Sequence, residues 1–181
     1  MDSPTTLLVA IMFVTVIVTG LVNILMFLSD LVAGKSKTGH LHLNWIALLL
    51  VAYFNFFWQT TLILEIEGWT FLSFVGFIIG PITLLFATNV LLTLPEGGER
   101  SMLDRHYFEL SGRFFFLLLL VQVWSICLDM AFDSVSKLTW LAGVIGAVFL
   151  VLVISRNQKV HLAGVTLAWV ALIMRTILQT L

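Results

Sequence analysis

Six long apolar runs make up most of this 181-residue chain, and charge is confined almost entirely to the segments between them. The runs extend from Thr6 to Leu28, Leu43 to Leu64, Trp69 to Leu94, Phe114 to Phe132, Leu138 to Ile154 and Val160 to Gln179, the fifth being the shortest. A bilayer core of about 30 Å needs about 20 apolar residues per crossing helix. Backbone groups in hydrocarbon must be satisfied within their own segment, and no ten-residue apolar/polar alternation suggests a barrel, so the runs are expected to be helices. The expected fold class is all-α: a polytopic membrane protein folded as one compact bundle of six transmembrane helices, a single domain over residues 1–181.

Composition supports that class. Hydrophobic residues are 60% and charged residues 10% of the chain, against roughly half and about a quarter in soluble domains. A net charge of −1 gives no basis for nucleic-acid binding. Cys127, the single cysteine, has no intrachain partner thiol. Nothing basic precedes the first run and its apolar stretch is long, so it is read as a retained helix rather than a cleaved signal.

Charge orients the bundle. Lys35, Lys37, Arg100, Arg105, Arg113, Arg156 and Lys159 fall at one set of ends, and only Lys137 and Arg175 at the other, seven against two. The positive-inside rule then places the basic connections in the cytoplasm and both termini outside, in a plasma (inner) membrane. Trp45, Trp69 and Trp140 open the second, third and fifth runs and read as interfacial anchors. Asp129 and Arg175 lie at matching depth near the outer ends of the fourth and sixth runs and are expected to form a structural ion pair.

No Asp, Glu, Lys, Arg or His reaches the middle third of any run, which argues against pumps and proton-coupled carriers. Neutral polar groups do reach it: Thr15 and Thr19 on the first helix, Asn55 and Gln59 on the second, and Gln122 with Ser125 on the fourth. Pro81 should free the carbonyl of Phe77 in the third helix. Together these are candidates for a pocket or pore taking a neutral or weakly polar solute. The plainer alternative is hydrogen bonding between helices, worth about 0.6 kcal/mol per contact.

All four histidines, His40, His42, His106 and His161, sit at the basic ends. Convergence of the connections there would assemble a Zn²⁺-type site, the one metal reading the chain offers; no cofactor is otherwise favoured. No axial histidine lies within a run to suggest haem. Pro95-Glu96-Gly97-Gly98-Glu99 reads as a turn. The leading functional expectation is a channel or carrier for a small neutral or weakly polar solute or an ion, expected to be an oligomer of identical chains because 181 residues make a thin wall. The alternatives are a non-transporting partner subunit of a larger membrane complex and a membrane-embedded metalloenzyme using the histidines. Beyond the lipid bilayer, the partners in view are further copies of the chain or another membrane protein.

Overall fold

The structure is a computed structural model. It describes residues 4–35, 38–58, 60, 66, 68–93, 100–131 and 139–180, and of these only the backbone for 100–105, 129, 131, 139–140, 175–176 and 178–180. The described residues form six helices and no strand: α1 Pro4–Val32, α2 His40–Trp58, α3 Phe71–Leu92, α4 Arg100–Ala131, α5 Thr139–Ile154 and α6 Gln158–Thr180. Four contain stretches long and apolar enough to cross a membrane, in α1, α2, α3 and His106–Leu128 of α4; α5 and α6 carry the shorter apolar stretches Leu141–Ile154 and Gln158–Met174.

The helix ends follow local chemistry. Gly34 adopts φ 72°, and the Lys35 and Gly34 amides donate to the Asp30 and Leu31 carbonyls at 2.9 and 3.1 Å. This is a glycine-terminated Schellman cap. Lys35 also pairs with Asp30 at 3.3 Å, offsetting an acidic group at the unfavourable end of the helix dipole. The third helix starts at Phe71, two residues later than Trp69, because Thr70 and Ser73 form a reciprocal capping box after the left-handed turn at Gly68.

The largest departure from the sequence reading is in α4, which begins at Arg100, far ahead of Phe114. Tyr107, Ser111, Phe114, Phe115, Leu118 and Val121 are all buried, and their 3/4 spacing is one helical face that continues through the charged segment. The first helix likewise outruns Thr6–Leu28 at both ends, and the second starts three residues before Leu43. Residues 59, 61–64, 94, 132 and 138 of the expected spans lie outside the described residues.

Around the bundle the neighbours run α1, α3, α4, α5, α6, α2 and back to α1, with α2 also touching α3. Contacts fix the directions. Phe13 meets Phe77 and Asn23 meets Asn89, so α1 and α3 are parallel. Thr93 with His106 and Trp124 with Gly76 make α3 and α4 antiparallel, and Ser155 with His161 does so for α5 and α6. With His42 bonded to Leu91 and Tyr107 to His161, the C-terminal ends of α1, α3 and α5 and the N-terminal ends of α2, α4 and α6 therefore gather at one end, the basic end.

Trp45 is expected at an interface and is instead fully buried. Its indole stands edge-on to Phe114, Phe115 and Phe149, with ring centroids 5.9, 4.8 and 6.2 Å away. α4 extends past it on the basic side, so the second helix meets a wall of aromatics where a headgroup was anticipated. Elsewhere large rings seat on glycines: Tyr53 lies over Gly20 and Trp124 over Gly80, leaving no room for a methyl at either. Tyr53 is held there by its hydroxyl bond to Thr88 at 2.9 Å. The opposite faces of all six helices are apolar and exposed, from Leu7, Leu8 and Ile11 on α1 to Leu162, Leu167 and Ile173 on α6. Several apolar helices with such outer faces are compatible with membrane insertion.

Gly20→Ala should destabilise the bundle by about 1–3 kcal/mol through overpacking against Tyr53. Gly143, which faces open space, should accept alanine with no loss and a gain of up to about 1 kcal/mol in helix propensity. Denaturation of both variants in the same detergent compares them directly.

Candidate functional site

One cavity of about 120 Å³ lies inside the bundle and is walled by every helix except α1. Its wall is mostly aliphatic and aromatic, with Leu48, Leu49, Val121, Ile145 and Phe149 among the lining side chains. Three polar residues break it: Asn55, Gln122 and Ser125. Asn55 follows Leu48 and Ala52 along one face of α2, and Gln122 and Ser125 follow Leu118 along one face of α4, the i, i+3, i+4 spacing that aligns side chains.

The polar groups cluster toward one end. Asn55 is three residues, about 4.5 Å, from the α2 terminus at Trp58. Gln122 and Ser125 stand about 9 and 4.5 Å from Leu128, where the apolar stretch of α4 ends. All three therefore face the end opposite the basic connections, while Phe149 and Leu49 close the cavity toward the basic end.

Chemically, this is a neutral site. Asn55 has a hydrogen-bonding or contact partner of its own, but among the described residues neither the Gln122 amide nor the Ser125 hydroxyl meets one. Both residues are half-buried, so their polar atoms are open to an occupant that hydrogen-bonds. The volume compares with the roughly 150 Å³ of an apolar cavity that holds benzene, or with about four waters at roughly 30 Å³ each. Among the described residues no charged side chain lines it.

The other sequence candidates lie elsewhere. Thr15 and Thr19 are exposed on the far side of α1, each hydroxyl bonded at 2.8 Å to a carbonyl four residues back, Ile11 and Thr15 respectively. They do not join Asn55 or Gln122, because the buried seam of α1 runs through Phe13, Ile17, Gly20 and Ile24 instead. Pro81 is buried, and the outside donor to its helix reaches one residue before Phe77: Trp124 Nε1 donates to the Gly76 carbonyl at 2.7 Å. Gln59 lies outside the described residues, as do the side chains of Asp129 and Arg175.

The histidines follow a rule the sequence reading missed. His42 Nε2 donates to the carbonyl of Leu91 and His106 Nε2 to that of Thr93, at 3.1 Å, so two histidines cap the end of α3. His161 Nε2 donates at 2.9 Å to the Ser155 carbonyl just past α5. The last carbonyls of a helix lack intrahelical donors, and imidazole N–H groups supply them. The second nitrogens of the two buried histidines accept hydroxyls, His42 Nδ1 from Thr38 and His161 Nδ1 from Tyr107, both at 2.9 Å. Both rings of His42 and His161 are thereby fully engaged, and His40 is exposed at the start of α2. Among the described residues no group of three His, Cys, Asp or Glu side chains is placed to hold a metal ion. Cys127 is exposed and free.

Comparison with protein-family models, curated proteins and solved structures finds no match to this chain.

His161→Ala should cost about 1–3 kcal/mol, since it strands the Ser155 carbonyl and the Tyr107 hydroxyl, while His40→Ala should cost little. Chelation with EDTA should leave the melting temperature unchanged. A large EDTA-induced drop would show that metal, not capping, holds this end.

Proposed function

We propose that the chain crosses the membrane six times and that its interior cavity is the binding site of a small neutral molecule, apolar along most of its length with one hydrogen-bonding end, which the bundle passes across the bilayer. The observation that carries this reading is the pairing of Gln122 and Ser125, which have no hydrogen-bond partner among the described residues, with a wall that among those residues is uncharged and largely apolar. Molecules of about six heavy atoms fit the volume. Short alcohols, amides and polyols are the class. Among the described residues the lining is uncharged, which favours neutral solutes over ions.

Six crossings are supported by the outer faces of α5 and α6, where Val144, Leu150, Val151, Val170 and Ile173 are exposed and as apolar as those of the longer helices. α5 has 16 residues, about 24 Å; tilt of its neighbours and local thinning of the bilayer accommodate a helix of that length. The lysine and arginine bias argues for both termini outside and the histidine-capped end in the cytoplasm, in a plasma (inner) membrane. In that orientation the polar end of the cavity opens toward the outside.

Light-scattering shrinkage assays on proteoliposomes, run with urea, glycerol, acetamide and a charged control, test the proposal. Permeation of at least one neutral solute should exceed that of protein-free vesicles. Gln122→Leu combined with Ser125→Ala should bring it down at least fivefold without loss of folded protein. Permeability equal to empty vesicles for every solute would leave a non-transporting membrane subunit as the better reading.

A further inference from the structure

α1 and α3 carry the strangest part of the lipid-facing surface. Asn23 is half-buried and Asn89 exposed, and Asn23 Nδ2 donates to Asn89 Oδ1 at 3.0 Å. A primary amide has two donors and an oxygen with two lone pairs, so this one bond leaves the Asn23 oxygen and the Asn89 N–H groups unused. Because α1 and α3 are parallel, both leftovers lie at one depth. Asn89 is three residues inside the end of α3 at Leu92, about 4.5 Å. On the proposed membrane placement, on which this inference rests, acyl chains covering this face would offer nothing to satisfy them, and polar groups left in hydrocarbon are expensive.

The surroundings are shaped for contact. A shallow groove along Val14, Thr15, Val18, Thr19 and Val22 reaches Asn23, where a second depression continues to Asn89 and Thr93. Thr15 and Thr19 have turned their hydroxyls back onto their own helix, so the groove presents methyl groups. Small and β-branched side chains allow close helix approach in lipid.

We propose that this α1/α3 face pairs with the same face of a second copy of the chain, about a two-fold axis along the membrane normal. Such an axis keeps depth unchanged and makes the interface self-complementary. The unused amide oxygen of Asn23 in each copy then meets an unused N–H of Asn89 in the other, twice over. An unrelated protein would have to bring matching polar groups to that depth; a second copy has them by construction. This inference does not depend on what the cavity binds.

The test uses the full chain in phospholipid vesicles at varied protein-to-lipid ratio. In a Cys127→Ser background, Thr19→Cys should form a disulfide-linked dimer on oxidation, whereas Leu150→Cys, exposed on α5, should not. Thr19→Cys leaves the asparagine pair intact and so reports even where other variants fold poorly. Energy transfer between labelled copies should give a dissociation constant that Asn23→Leu with Asn89→Leu raises roughly 3- to 30-fold. Monomers at every density, equal cross-linking at Thr19 and Leu150, or association indifferent to loss of both amides would each overturn the proposal. The last result, joined to phospholipid retained by the native chain and lost from the double variant, would assign the face to lipid headgroups instead.

Discussion

Helices in a bilayer have little hydrophobic reason to associate, because lipid tails are as apolar as leucine. What holds this bundle to one arrangement must therefore be shape and a small number of polar bonds, and both concentrate around Trp45. Its buried ring fixes α2 against Phe114 and Phe115 of α4 and Phe149 of α5. Its buried N–H has no hydrogen-bond partner among the described residues, and the polar bonds beside it start at the Tyr107 hydroxyl. From Tyr107 the bonding continues through His161 to the carbonyl of Ser155. Four helices are thereby set in register at one end of the molecule.

That end and the opposite one are built differently. At the basic end, histidines terminate α3 and α5 and aromatic rings fill the space between, including Tyr107 and Phe108 against His161. Toward the other end the same helices line a cavity whose Gln122 and Ser125 have polar groups to spare. A bundle tied at one end and hollow toward the other is suited to admitting a small molecule from one side. Trp124 borders the hollow region, seated on Gly80 and bonded to Gly76, with Phe56 of the cavity wall 6.3 Å from its ring.

Much of this was legible in the residues, and the failures have physical causes. Length and apolar density located six helices, four of them with stretches long and apolar enough to cross a membrane. They missed the first turns of α4, where burial follows the spacing of Tyr107, Ser111 and Phe114 through a charged stretch rather than its mean hydropathy. Depth grouped Asn55, Gln122 and Ser125, and the three line one cavity, since residues at similar height on inward faces meet. It misplaced Thr15 and Thr19, because height says nothing about which way a helix is rotated; the phenylalanine, isoleucine and glycine seam of α1 carried that information. Trp45 looked like an anchor only while α4 was thought to start at Phe114. The histidines were grouped rightly at one end, but their partners are backbone carbonyls, and nothing in a sequence marks a carbonyl as uncapped.

The central claim is that the polar end of the cavity is reached by solutes rather than sealed as interhelical bonding. Thiol accessibility at Ser125 tests it most directly. With Cys127 replaced by serine, Ser125→Cys in intact proteoliposomes should react with a small membrane-impermeant thiosulfonate, and a neutral solute that permeates should slow that reaction. Absence of any modification in folded protein, while an exposed control cysteine at Trp58 is fully labelled, would contradict the account.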